Sequence, residues 1–369
     1  MDWDTHRYLE CFFAVPMMGA ILFTINVRLS PKQVLYTINH GKPDLIIVHK
    51  DFIPLIDEIK SDFDRDIIIV PIGDGAGYEK WISEAAINFD FPEFDENQTA
   101  TLFYTTGTTC TPKGVSYSHR QLVLHTLGLI ASFGAWPGNA GLHRGDVYMP
   151  LTPLFHVHGW GFPYAATMLG LRQVYPGRYT PETILQLIAD ENVTFSHCVP
   201  TVLSMVLDHP NCPQTDLSQW KVIIGGAALP RSLQDRAAEA GISLHAAYGM
   251  SETCPFLTVA DLSSDDPEDQ AQTGYPGLLV DLRVVTPDMK DVPHDGQTTG
   301  EVVARAPWLT QGYLDNAQAS DELWDGGYLH TGDVGYIREN GSLQITDRLK
   351  DVIKTGGEWI SSLALENIA

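Results

Sequence analysis

Basic residues are scarce in this chain: 23 lysines and arginines stand against 46 aspartates and glutamates, a formal charge of −23. Such a balance excludes a duplex nucleic-acid partner, which needs basic surface to displace counterions, and it excludes adhesion to anionic lipid. Cysteine is sparse too. The five, at positions 11, 110, 198, 212 and 254, show no C-x-x-C spacing, so neither a disulfide framework nor a zinc ribbon is indicated and a reducing, cytoplasmic setting is expected. There is no long apolar run. Residues 11–23 contain Pro16 and Gly19 and are too short to span a bilayer, so no transmembrane segment is expected and we read them as a buried helix. The acidic opening Met1-Asp2-Trp3-Asp4 lacks the basic region of a signal peptide.

What the chain does have is bulk and alternation. Its 369 residues, 44% hydrophobic and 19% charged, can bury a large core divided into two or three subdomains. Short β-branched runs at 45–49, 67–71, 101–104, 193–198 and 222–224 alternate with amphipathic stretches of helical length. This predicts an α/β fold with parallel sheets flanked by helices. Residues 181–191 carry apolar positions at helical spacing, with Thr180 as N-cap and Pro181 in the first turn. From 273 onward, alternating runs at 282–285, 301–304 and 342–345 separated by Gly, Pro and Asp turns predict a small antiparallel, barrel-like subdomain, preceded by a solvated acidic loop at 263–269. Residues 1–272 therefore form one α/β region and 273–346 a second, distorted β-barrel.

Residues 104–115 read Y-T-T-G-T-T-C-T-P-K-G-V. Behind the apolar Leu102 and Phe103, the hydroxyls and amides of Thr105, Thr106, Gly107, Thr108 and Thr109 and the ammonium of Lys113 would converge where a polyphosphate could sit. No glycine immediately precedes that lysine and no Ser or Thr follows it, so this is not a Walker A loop. A Thr/Gly-rich surface turn is the plainer alternative.

Further motifs follow in order. They are Phe155-His156-Val157-His158-Gly159-Trp160-Gly161, Gly225-Gly226-Ala227-Ala228-Leu229-Pro230, Ala247-Tyr248-Gly249-Met250-Ser251-Glu252-Thr253, Tyr328-Leu329-His330-Thr331-Gly332-Asp333 and Asp347-Arg348-Leu349-Lys350-Asp351. With the phosphate loop, this succession resembles the adenylate-forming superfamily of acyl-CoA synthetases, peptide-synthetase adenylation domains and luciferases. It looks most like the medium- and long-chain fatty acyl-CoA ligases, which join a carboxylic acid to CoA through an acyl-adenylate, with ATP consumed and pyrophosphate released.

The resemblance implies roles residue by residue. Glu252 with Thr105 would hold Mg²⁺ through hard oxygen ligands, although an isolated Glu could merely cap a helix. Lys113 would meet the phosphates. Tyr248 would stack on adenine beside the Gly225, Gly226, Ala227 and Ala228 wall, with Gly249, Met250, Ser251 and Thr253 lining the nucleotide. Asp333 would accept from the ribose hydroxyls, with Arg348 as a second contact. His156 would donate to the substrate carboxylate. His158 would support it, since the His-x-His pair lacks a third metal ligand at recognisable spacing. Trp160 would gate the acyl tunnel, the competing reading being a packed core tryptophan. Residues 347–369 would form the hinge and the start of a C-terminal lid, with Lys350 at the hinge, Lys354 and Trp359 near the adenylate, and Gly356 and Gly357 lining the thiol's approach.

Two departures qualify that likeness. Cys110 stands where relatives have glycine. Measured against the family pattern, the chain also starts inside an internal segment and stops soon after the hinge, so the expectation is a fragment with a sheet edge left unpaired, no lid lysine and poor turnover. Two other acid classes stay open, a short functionalised acid such as methylthiopropionate or an aryl acid. So does a non-catalytic nucleotide-binding fragment or pseudoenzyme, and a homo-oligomer is compatible with the sequence.

Overall fold

The computed structural model describes every residue except 74–76, 106–110, 136–140, 263–272, 351–352, 356–357 and 361–369. Strands β1 (Leu22–Thr24), β4 (Thr99–Tyr104) and β5 (Gly114–Ser118) form one sheet in the order β1-β4-β5, while β2 (Leu45–His49) and β3 (Ile68–Ile72) pair in parallel as another. A seven-stranded sheet carries the centre of the molecule. Its order is β12-β11-β10-β9-β8-β6-β7, built from β6 (Val147–Pro150), β7 (Arg172–Gln173), β8 (Phe195–Cys198), β9 (Lys221–Ile224), β10 (Ser243–Tyr248), β11 (Thr258–Asp261) and β12 (Tyr275–Pro276). Strands β6 to β10 run parallel, and β11 and β12 return antiparallel.

Burial explains that arrangement. Strands β8 and β9 are buried at every residue, as parallel strands covered on both faces must be. The crossover helix Pro181–Glu191 starts at Thr180, whose hydroxyl accepts from the Thr183 amide, and ends at Asn192 in the left-handed conformation. Helix Pro31–Gly41 opens with a capping box between Ser30 and Gln33. At the start of β9, Lys221 is buried yet bonded at 2.8 Å to both Asp146 and the Gly141 carbonyl, so its charge is satisfied where the strand enters the core.

The antiparallel region consists of β13 (Asp281–Val285), β14 (Gly300–Arg305), β15 (Leu329–Ile337) and β16 (Leu343–Arg348) in sequential order. Its Leu343 also bridges Gly274, joining this sheet to the segment before β12. Strands β17 (Ile353–Thr355) and β18 (Glu358–Ile360) make a final hairpin.

One expectation is corrected. Residues 11–23 are not a single buried helix: helix His6–Met17 ends near Pro16, and Gly19, at φ +81°, turns the chain into strand β1. An apolar run shared by a helix and a strand carries no periodicity of its own at the junction. The acidic 263–269 segment lies outside the described residues.

Candidate active site

The candidate phosphate loop, residues 105–113, connects the antiparallel strands β4 and β5. Strands β4 and β5 pair as far as Tyr104 opposite Gly114, and the Thr105 amide then donates to the Lys113 carbonyl at 2.9 Å, which fixes both ends of the loop. Thr106, Gly107, Thr108, Thr109 and Cys110 lie outside the described residues. The Lys113 ammonium stands 4.4 Å from the centre of the Tyr313 ring, and the Tyr313 hydroxyl donates to Glu252 Oε1 at 2.7 Å. A phenol thus joins the cation and the carboxylate.

Glu252 is only 6% exposed. Burial raises its pKa, and the Tyr313 hydrogen bond and the charges of Lys113 and Arg348 work against that rise. Among the described residues no group of three or more His, Cys, Asp or Glu could hold a metal alone. A cation at Glu252 would therefore draw its remaining oxygens from hydroxyls, water and phosphate. That donor set suits Mg²⁺, which keeps waters and binds through one or two carboxylates plus phosphates.

Beside this cluster lies a cleft of about 560 Å³, walled by Gly226, Ala227, Ala228, Tyr248 and Gly249 on one side and by Asp333 and Arg348 on the other. It forms at the carboxyl end of the parallel strands, where β9 and β10 deliver their loops. The Tyr248 hydroxyl donates to Asp333 Oδ2 at 2.6 Å, while Arg348 Nε reaches Asp333 Oδ1 at 2.7 Å. Asp333 and Arg348 are direct partners across β15 and β16. Gly249 has no room for a side chain, because a Cβ there would lie 1.3 Å from the Pro255 carbonyl oxygen. Thr253, fully buried, accepts from the Met250 amide at 2.9 Å, and the Ser251 carbonyl accepts from Tyr117 at 2.6 Å, so the loop before Glu252 is rigidly held.

A second, narrower cavity of about 70 Å³ adjoins the cleft. It is lined by His156, Trp160, Phe133, Phe162 and Phe256 and shares Gly226, Ala247 and Gly249 with the larger one. The Trp160 ring is 7% exposed and lies where a Cβ on Gly225 would come within 3.1 Å of it. It is therefore both a member of the core and a wall of the cavity. The segment bearing it is unusual. Val157, His158, Gly159, Trp160 and Gly161 all have positive φ, from 46° to 75°, making a left-handed turn that costs about 1–2 kcal/mol for each residue carrying a Cβ.

Burial lowers the His156 pKa, helped by Arg28, which keeps its imidazole neutral. His158 is enclosed by the rings of Phe12, Phe103, Tyr117 and Tyr164, has no hydrogen-bond partner on either ring nitrogen among the described residues, and has its pKa lowered by burial to about 3. Lys350 is exposed, next to Leu349, whose amide donates to the Gly332 carbonyl at 2.8 Å. Lys354 and Trp359 are direct backbone partners across β17 and β18, whereas Gly356 and Gly357 lie outside the described residues.

Sequence reasoning missed Tyr313. Its Q-G-Y context reads as an ordinary turn, and nothing in spacing announces that residue 313 returns to residues 113 and 252. Phe133 and Phe256 were missed as well, because buried aromatics at helix and loop positions are indistinguishable from core in a sequence.

Comparison with known proteins agrees with this geometry. The AMP-binding enzyme family is matched over residues 1–314. The long-chain-fatty-acid–CoA ligase of Thermus thermophilus is 40% identical over 100% of this chain and 69% of its own length. The 3-methylmercaptopropionyl-CoA ligase of Ruegeria lacuscaerulensis is 37% identical over 100% of this chain and 71% of its own. Among solved structures, the anthranilate CoA ligase AuaEII in complex with anthranoyl-AMP superposes with a TM-score of 0.87 at 25% identity, covering 99% of this chain and 70% of that one. The extent of these matches leads to one conclusion: the chain belongs to the family of AMP-binding enzymes.

Proposed function

We propose that this chain is an ATP-dependent fatty acid–CoA ligase that works through an acyl-adenylate. The observation that carries the proposal is the shared wall: the cavity beside His156 and Trp160 and the cleft ending at Asp333 and Arg348 have Gly226, Ala247 and Gly249 in common. Two ligands filling these spaces would meet along that strip, as a carboxylate and an α-phosphate must.

In this reading adenine lies between Tyr248 and the Gly225, Gly226, Ala227 and Ala228 backbone, lined further by Gly249, Met250, Ser251 and Thr253. The ribose hydroxyls donate to Asp333, whose pKa burial raises, with the Tyr248 hydrogen bond and the Arg348 charge working against that rise. The triphosphate runs toward the Thr105, Thr106, Gly107, Thr108, Thr109 and Lys113 loop. Glu252, with Thr105, would hold Mg²⁺, which neutralises charge on the departing pyrophosphate when bound. The acid places its carboxylate at His156, whose neutral ring still offers one N–H, and its alkyl chain past Trp160. A carboxylate oxygen attacks the α-phosphate, the bond to pyrophosphate breaks, and the CoA thiolate then displaces AMP from the acyl carbon. Lys350, Lys354 and Trp359 belong to the hinge region in the three-part division 1–272, 273–346 and 347–369. Among the described residues no helix is long and apolar enough to cross a membrane, which is compatible with a cytoplasmic enzyme.

A second reading keeps the adenylation and shortens the acid. The cavity beside Trp160 holds only about 70 Å³ behind Phe133, Phe162 and Phe256, and a relative 37% identical is named for 3-methylmercaptopropionate. Both readings are tested by acid-dependent ATP–pyrophosphate exchange and AMP release, run with straight-chain acids of increasing length, methylthiopropionate and benzoate. Rates rising with chain length support the first, a maximum at methylthiopropionate supports the second, and exchange with no acid, together with no affinity for acyl-AMP analogues, overturns both.

A further inference from the structure

The backbone that carries His156 is held by parts of the chain outside its own sheet. Asp4, just before helix His6–Met17, accepts from the Leu154 amide through Oδ1 at 2.7 Å, and its carbonyl accepts from the Gly177 amide at 2.8 Å. One residue further on, the Thr24 hydroxyl of β1 donates to the Phe155 carbonyl at 2.9 Å. Both Asp4 and Thr24 are buried. The side chains follow the backbone, since Leu154 and Phe155 pack with Tyr8, Phe12 and Leu22 in one small core. Within the loop, the His156 amide donates to the Pro153 carbonyl at 2.9 Å.

His156 is the last residue before the left-handed turn at 157–161 and borders the small cavity. Two consecutive tethers directly before it restrict where its ring can stand. They differ in kind. A hydrogen bond to an ionised acceptor is roughly twice as strong as one between neutral groups, so the strength of the Asp4 tether depends on charge. Burial raises that carboxyl to about 7, the Leu154 bond and the Arg28 charge oppose the rise, and Asp2 adds to it. Tyr8, Tyr148, Tyr175 and Tyr179 also face Asp4, all with burial raising their own pKa values, so they stay neutral. Arg28 acts on His156 as well, adding to the lowering by burial. One cation thus faces both the tether and the imidazole.

We propose that Asp4 and Thr24 are positioning residues for adenylation, which hold the Leu154 amide and the Phe155 carbonyl and thereby set the His156 ring where the acid's carboxylate binds. The inference rests on the reading of His156 as the donor to that carboxylate. Neither residue lines the small cavity or the nucleotide cleft, so both act through the loop. Ionised Asp4 holds the loop most tightly, and acid affinity follows its charge. The substrate's own carboxylate, with a pKa of about 4, stays ionised through the range in which Asp4 titrates.

The test is calorimetric binding of octanoate and of methylthiopropionate to the whole chain saturated with a non-hydrolysable ATP analogue, from pH 6 to pH 8. The variants are Asp4→Ala, Asp4→Asn, Thr24→Val and His156→Ala. Asp4→Ala should weaken acid binding about tenfold at pH 8 and Thr24→Val about threefold, while affinity for the ATP analogue alone stays within about twofold of the parent. Asn keeps an acceptor for the Leu154 amide but no charge. Asp4→Asn should therefore match the parent at pH 6, and only the parent should gain, by about threefold, on going to pH 8. Parent affinity in Asp4→Ala, with His156→Ala weakened, overturns the inference alone. So does a pH profile that Asp4→Asn shares with the parent. Acid affinity unchanged in His156→Ala, or no acid binding by the parent, overturns the functional reading and this inference with it.

Discussion

Tyr248 donates its hydroxyl to Asp333 at 2.6 Å, a bond that spans 85 residues and ties the end of a parallel strand to the antiparallel sheet. It holds one carboxylate oxygen while Arg348 holds the other, so both oxygens of Asp333, the proposed ribose acceptor, are fixed in orientation.

Replacing Asp333 with Asn removes a charge from this arrangement and should weaken binding of an AMP analogue by about 10–100-fold, the range for loss of charge-assisted hydrogen bonds. Tyr248→Phe keeps the ring and should cost about 1 kcal/mol of stability with a smaller loss of affinity. Calorimetric titration of both variants, paired with denaturant unfolding, checks the difference. Equal losses of affinity would contradict it.

The Lys113, Tyr313 and Glu252 chain makes a separate prediction. Glu252→Gln should lower the exchange rate about 10²–10³-fold and raise the Mg²⁺ concentration needed for half-maximal rate. Tyr313→Phe leaves the carboxylate in place without its donor and should show the same Mg²⁺ shift in weaker form. A Mg²⁺ titration identical to the parent's would remove Glu252 from the metal site.

Trp160→Ala should admit acids in the absence of nucleotide, raising the affinity for longer chains about tenfold while costing about 3–5 kcal/mol of stability. Gly225→Ala acts on the same contact from the other side, since its added methyl would meet the Ala247 carbonyl oxygen at 2.8 Å and the indole at 3.1 Å. It should disturb ATP and acid affinity together, and fluorescence titration with a fluorescent acyl chain reads both effects.

Four buried groups with large shifts shape the pH dependence of stability. Asp4 accepts from the Leu154 amide at 2.7 Å, two residues before His156, and burial pushes its pKa up to about 7. A raised carboxyl pKa stabilises the fold below its unfolded value near 3.8, and that stability is lost as pH rises through 7. Burial lowers His125, His158 and His197 to about 3, so these three stabilise above 6.5 and lose that contribution as pH falls from 6.5 toward 3. Between pH 4.5 and 5.5 the folded chain keeps one extra proton and the unfolded chain takes up three, a net of about two, so stability should rise with pH there and level off near pH 7, where the unfolded histidines and the folded Asp4 lose their protons together. Asp4→Asn should steepen the rise to about three protons. Denaturant unfolding at half-unit steps from pH 4.5 to 7.5 measures it, and unchanged slopes would show that Asp4 is ionised throughout.

Much of this was legible in the sequence because the signals are local. Thr180 and Pro181 start their helix as their chemistry dictates, and strand 45–49 is found with its bounds intact. The order of the glycine-rich and acidic motifs carried the family. What was hidden depends on distant parts of the chain meeting: Tyr313 between Lys113 and Glu252, or Tyr248 on Asp333. No spacing encodes such a contact. The left-handed turn at 157–161 was hidden for another reason, since Val157 disfavours that conformation and only the surrounding core imposes it.

The wall shared by the two cavities limits how this protein can change. Because Gly226, Ala247 and Gly249 border both spaces, a substitution that adds bulk there cannot retune acid preference alone. Drift in substrate range would have to proceed through residues touching one cavity only, Phe133, Phe162 and Phe256 among them, leaving the common strip as the least variable part of the surface the two ligands see.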